Sequence, residues 1–172
     1  MGGRTLRPIR RVVLTPLFLL VRWFGARLVA VFYREVNHSG RDQLPSQTPI
    51  ILAANHPNSV MDPIVLMTAF ERPVHFLARA GLFRWRAIAW LLKTFHAIPV
   101  QRQQDGGDML SNDKMFVATY NVLGGQGVVG VFPHGQNVEE RRVEDIRSGA
   151  ARIALGAESA YDWSLGLIVV PV

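Results

Sequence analysis

The chain has no cysteine. Disulfides, thiolate nucleophiles and zinc–thiolate centres are thereby excluded, and the composition fits a reducing compartment. Lysine is almost as scarce, with only Lys93 and Lys114. The net charge of +6 and the pI near 10.7 are therefore carried by arginine. No zinc-finger, RNA-recognition or basic-zipper signature accompanies that charge, so nucleic acid is not expected as a partner. There is no Gly-x-Ser-x-Gly elbow, no internal repeat and no low-complexity segment. An uninterrupted apolar run of the ~20 residues that cross a bilayer is also missing.

What is present is enough for one domain with a real core: 172 residues, 49% of them hydrophobic. The arginines cluster beside apolar residues. Arg4, Arg7, Arg10 and Arg11 lead into the run from Val12 to Val21. Arg22 and Arg27 then interrupt the stretch up to Tyr33, and arginine at mid-membrane costs at least ~2.5 kcal/mol. Trp23, Phe24, Phe32 and Tyr33 suit a membrane interface instead. Residues 1–35 are therefore expected to form a membrane-associated helix. Their partner would be an anionic membrane surface, on its cytoplasmic face. The competing reading is an ordinary core helix. No small-x-small cleavage site follows, and Leu6 stands where a myristoylation signal needs serine or threonine.

Beyond a polar, turn-rich linker at Asn37–Thr48, apolar runs of strand length alternate with helical stretches. Strands are expected at Ile50–Ala54, Val74–Ala78, Ala97–Val100, Gly127–Phe132 and Leu167–Val172. Helices are expected at Val60–Glu71, Arg84–Phe95, Met109–Leu123 and Ile146–Ala157. Wholly apolar strands alternating with helices predict an α/β fold: a mixed, largely parallel sheet flanked by helices. Ligands of such sheets bind beyond the strand ends. Three junctions there are rich in polar residues: Asn55–Asp62, Ile98–Arg102 and Phe132–Asn137.

The first junction carries the most chemistry. His56 and Asp62 lie six positions apart, on different faces of any continuous helix. Pro57 and Asn58 favour a turn between them, which would fold the carboxylate back onto the ring. A carboxylate on one ring nitrogen fixes the tautomer and leaves the other nitrogen as a base. The same residues admit a plain structural role. Ser59 and Asp62 have capping-box spacing, or Asp62 is itself the N-cap with Pro63 at the first helical position. Arg102 after its strand is placed for a bidentate grip on phosphate or carboxylate, or is an ordinary surface arginine. His134-Gly135 also fits a plain tight turn.

In this order and spacing, the junctions resemble the glycerolipid acyltransferase family, over about Val36 to Val172. The family's first motif, Asn-His and then Asp after four residues, is matched by Asn55-His56 and Asp62 with five residues between. The second is similar to Phe76–Phe83 followed by Ile98-Pro99-Val100-x-Arg102. The third, usually Phe-Pro-Glu-Gly, here reads Phe132-Pro133-His134-Gly135, followed by the matching stretch Ser148–Ala154. The fourth, an apolar strand ending in Pro-Val, matches Ile168–Val172.

The resemblance implies an acyltransferase domain at 36–172. It moves a fatty acyl group from acyl-CoA or an acyl carrier protein to a hydroxyl of a phosphorylated glycerol or lysophospholipid. His56 would be the general base and Asp62 its orienting partner, with no metal and no cofactor beyond the thioester. Backbone N–H groups at the next helix start are oxyanion candidates. Arg79 and Arg102 would neutralise the acceptor phosphate, and Asn55, Ser59, His134, Gly135 and Pro171 would line the substrate site. The absent cysteine and serine elbow fit direct transfer over an acyl-enzyme. Two departures stand out. His134 replaces the family glutamate, which bears on acceptor identity, and the chain stops where relatives add more sheet and helix, as if C-terminally incomplete. The alternative expectation is a lipid-binding relative without turnover.

Overall fold

The computed structural model describes residues 15–37, 39–40, 43–101, 112–134 and 147–172. Helix α1 (Pro16–Phe32) leads into a β/α alternation. The order is β1 (Ile50–Ala53), α2 (Met61–Ala69), β2 (Val74–Arg79), a 3₁₀ turn (Ala80–Arg84), α3 (Arg86–Thr94) and β3 (Ile98–Val100). Then follow α4 (Asp113–Gly124), β4 (Val128–Val131), α5 (Gly149–Ala160) and β5 (Ile168–Pro171).

The five strands form one sheet in the order β3-β2-β4-β1-β5. Every pairing is parallel, so the sheet has none of the antiparallel content that the sequence left open. Side chains alternate across it, as a period of two requires. Ile50, Leu52, Val128, Val74 and Phe76 face one way and pack with Phe18, Leu66 and Met67 from α1 and α2. Ile51, Val129, Val131 and Ile98 face the other way and pack with Met115, Val122, Leu123 and Ile153 from α4 and α5. Burial of both faces explains why β1 and β4 read as unbroken apolar runs. Each fully buried Ile, Leu or Val there contributes roughly 1.5–3 kcal/mol against its exposed state.

Right-handed crossovers account for this layering. The chain leaves β1 towards β2 and then β3, which places α2 and α3 on the α1 side. It then returns to β4 and passes on to β5, which places α4 and α5 on the opposite side. β4 is thus inserted between β1 and β2, and the connections that follow β1 and β4 depart in opposite directions. That is the switch point at which parallel sheets open a crevice beyond their carboxyl ends.

Helix α1 is docked along one narrow stripe. Thr15 caps it, its Oγ1 accepting from the N–H of Phe18 at 3.2 Å, with Pro16 in the first turn. Only Phe18, Gly25 and Val29 are buried. Gly25 is a point of close approach, because a Cβ there would meet Met67 Cε at 3.1 Å and Ile64 Cγ2 at 3.2 Å on α2. Arg22 interrupts the apolar run for a structural reason: its guanidinium donates to the Thr68 and Glu71 carbonyls at the end of α2. The outer face exposes Leu19, Leu20, Trp23, Phe24, Val31 and Phe32, so α1 is not the buried core helix of the competing reading. Among the described residues no helix is long and apolar enough to cross a membrane.

Candidate active site

The backbone between β1 and α2 is held from both neighbouring strands. The N–H of Ala54 donates to the Val131 carbonyl at 3.1 Å, and that of Asn55 to the Val172 carbonyl at 3.3 Å. The chain then turns through Pro57 and Asn58, and Asp62 comes back onto His56. The Nδ1···Oδ2 distance is 3.0 Å, with the side chains only 11% and 17% exposed. Nδ1 is the donor towards a carboxylate, so in the neutral ring the proton sits there and Nε2 is the acceptor nitrogen.

The capping reading holds in a shifted form. Asn58 Oδ1 accepts from the N–H groups of Val60 and Met61 at 3.1 and 3.0 Å. Asp62 Oδ2 accepts reciprocally from the N–H of Asn58 at 2.7 Å. The box therefore joins Asn58 to Asp62, rather than Ser59 to Asp62, and Asp62 is the second residue of α2 rather than its N-cap. Pro63 follows in the first turn, where no N–H is missed. One carboxylate thus orients the imidazole and closes the helix start, and the helix dipole favours its charge.

Phe132, just past the end of β4, stacks on the His56 ring at 3.8 Å between centroids and 13° between planes. Phe76 of β2 lies parallel to Phe132 at 6.0 Å and 7°. The stack depends on Gly130, because a Cβ at that position would lie 2.6 Å from the Phe76 ring. His56 is therefore fixed by a carboxylate at its edge and an aromatic row against its face. The sequence reading missed Phe132, Phe76 and Gly130 as supports. The available signal was a glycine inside a wholly buried strand, which marks close approach of a neighbour.

The other site candidates divide. Asn55 is committed locally, its Oδ1 accepting from the N–H of His56 at 2.9 Å. Ser59 lies on the exposed side of the turn. Pro171 pairs with Ala53 in the register of β5, and the N–H of Val172 donates to Ala53 at 2.9 Å, so this strand end braces the turn that holds His56. Arg79 ends β2, two strands away from β1. The offset that pairs Val74 with Val128 brings Arg79 level with Pro133 at the same sheet edge. His134 is buried, only 6% exposed, and its Nδ1 has no hydrogen-bond partner among the described residues. It follows Phe132 by two positions, which places the third junction beside the first. Arg102 and Gly135 lie outside the described residues. Gln101 and Asn112 are joined by reciprocal hydrogen bonds of 2.9 and 3.0 Å.

A family model described as Acyltransferase matches residues 35–172. The chain belongs to the glycerolipid acyltransferase family, as its motifs suggested. It is 39% identical over 88 residues to a Schizosaccharomyces pombe protein described as an uncharacterized acyltransferase, covering 48% of this chain and 13% of that protein. It is 33% identical over 94 residues to glycerol-3-phosphate O-acyltransferase 1 of Saccharomyces cerevisiae, covering 52% and 12%. With 1-acyl-sn-glycerol-3-phosphate acyltransferase of Bacillus subtilis it shares 28% over 115 residues, covering 66% and 53%. The chain thus spans about an eighth of the two yeast proteins and about half of the bacterial one.

Proposed function

We propose that the crevice beyond β1 and β4 transfers a fatty acyl group from acyl-CoA or an acyl carrier protein to a hydroxyl of a phosphorylated glycerol or lysophospholipid. The observation that carries this reading is the 3.0 Å contact between His56 Nδ1 and Asp62 Oδ2 at the sheet's switch point. His56 Nε2 takes the proton of the acceptor hydroxyl as its oxygen attacks the thioester carbonyl. The tetrahedral intermediate collapses, the C–S bond breaks, and the proton passes from the imidazolium to the departing thiolate. Asp62 holds the ring and balances its transient charge. The names of the budding-yeast and bacterial relatives support a glycerol-phosphate acceptor.

The N–H groups of Asn58, Val60, Met61 and Asp62 are already spent within the turn. Oxyanion donors therefore come from outside these four, which narrows the expectation drawn from the helix start. In this reading Arg79 and Arg102 neutralise the acceptor phosphate, while His134 and Gly135 line its site. Helix α1 rests on an anionic membrane on the cytoplasmic side, where a lysophospholipid acceptor or the acylated product would reside.

The test offers labelled acyl-CoA or acyl carrier protein with glycerol-3-phosphate and lysophosphatidic acid side by side. Transfer to either acceptor is expected. His134→Glu should raise the preferred rate or switch the acceptor, because glutamate accepts bonds from polyol hydroxyls whereas a neutral imidazole offers one donor and one acceptor. Lipid binding without turnover on any acceptor would favour the non-catalytic relative.

A further inference from the structure

Helix α3 buries none of its residues. In a fold whose other helices each seat a stripe on the sheet or on a neighbour, that is anomalous for a helix this amphipathic. Trp85 at its N-cap is 71% exposed and Trp90 58%, with Leu82, Ile88 and Leu91 also exposed. At 100° per residue, Ile88, Leu91 and Leu92 fall on one side, while Arg86 and Lys93 stand two turns apart on another. Charge is one-sided as well. Between Glu71 and Asp105 there is no acidic residue, whereas Arg72, Arg79, Arg84, Arg86, Lys93 and Arg102 all fall in that interval.

The position of α3 adds a second argument. The right-handed connection from β2 to β3 puts it on the same side of the sheet as α1. Its far end adjoins the start of α1, since the ring of His96, two residues past α3, lies 5.7 Å from that of Phe18. Phe95 packs on the same core cluster as Phe18. The exposed apolar residues of α1 and of α3 therefore belong to one layer.

We propose that α3 and the 3₁₀ turn before it form a second lipid-contacting face, which seats this layer on an anionic bilayer surface. Indole rings flanked by basic side chains suit the boundary between headgroups and acyl chains, where one end of the ring is apolar and the other wet. Arg84, Arg86 and Lys93 would meet the negative surface potential. The face lies on residues outside the catalytic crevice, so the proposal does not depend on the reaction assigned to His56.

Because α1 exposes apolar residues of its own, the test must read α3 locally, and the absence of cysteine makes this direct. Leu91→Cys on α3, and Leu155→Cys on the opposite side of the sheet, are each labelled with an environment-sensitive dye in the full chain. They are mixed with phosphatidylcholine vesicles, with and without phosphatidylglycerol. The label at position 91 is expected to shift to the blue and to be quenched by brominated acyl chains, most strongly with phosphatidylglycerol, while that at 155 stays as in water. Trp85→Ser with Trp90→Ser should lower vesicle partitioning about tenfold, with the circular dichroism of the wild type. A label at 91 that stays as wet as the one at 155 on vesicle-bound protein overturns the proposal. So does a shift that appears without vesicles and grows with protein concentration, which would make the face an interface between copies of the chain. Failure of the intact chain to bind vesicles would refute it too.

Discussion

His56 and His75 lie at opposite ends of the same sheet, and the same side chain has been put to different use. His56 follows β1 at the carboxyl edge, beside a carboxylate and over the Phe132 ring. His75 is the second residue of β2, buried at the amino edge, where its Nδ1 donates to the Val128 carbonyl at 3.2 Å. The ring of His96 stands 5.3 Å from it, with no carboxylate partner in reach of either ring among the described residues. Burial, and then the neighbouring His96, push the pKa of His75 down to about 4, and burial lowers that of His96. The amino end treats histidine as a neutral polar filler. The carboxyl end gives histidine a carboxylate partner that fixes its tautomer, which the proposed proton transfer requires. Parallel topology makes the difference, because the turns that can carry polar side chains into one crevice all follow strand ends.

The contrast is broken most severely at His56. His56→Ala should reduce acyl transfer by two to four powers of ten, the range of a general base, with unchanged circular dichroism. Asp62→Asn should lose at least about 100-fold while still accepting from Asn58, so that its melting temperature moves little. Full turnover by a folded His56→Ala protein would sink the assignment of His56 as the base.

The next largest effect is on stability and belongs to His75. Its folded pKa lies below the unfolded value near 6.5, so the unfolded chain binds the extra proton. The contribution is complete above pH 6.5 and is lost as pH falls towards 4, by about 3 kcal/mol in total. Urea unfolding across that window should show the loss, and His75→Gln should flatten it. An unchanged pH slope in that variant would mean that His75 does not carry the loss.

Gly130→Ala probes the link between the two ends through β4. Its methyl would meet the Phe76 ring and push the aromatic row against His56. We expect a loss of about 1–3 kcal/mol in stability from overpacking, with a fall in turnover that Phe76→Leu partly restores. Restored stability without restored turnover would show that the row supports the fold alone.

Local pattern made much of this legible. Each strand and helix expected between residues 50 and 172 has a counterpart within a few residues, because apolar runs bounded by Gly, Pro and Asn leave the backbone little choice. The His56–Asp62 contact was also foreseeable, since proline after the histidine forces a turn of the right span. The cap was not. Asn58, Ser59 and Asp62 all offer oxygens, and only the built turn decides that Asn58 Oδ1 reaches two N–H groups while Asp62 answers it. The 3₁₀ turn at Ala80–Arg84 carries no periodic signal of its own.

Strand content, the two-faced burial of β1 and β4, and the pairing of His56 with Asp62 were determined by the sequence itself, through interactions that span only a few positions. Strand order was decided by the tertiary structure. Nothing local says that β4 lies between β1 and β2, yet that insertion creates the crevice, sets Phe132 against His56 and brings His134 beside the first junction. The same holds for α3, whose apolar pattern resembles that of a core helix. Its exposure follows from where the β2–β3 crossover leaves it, since burial depends on what the rest of the chain packs against it.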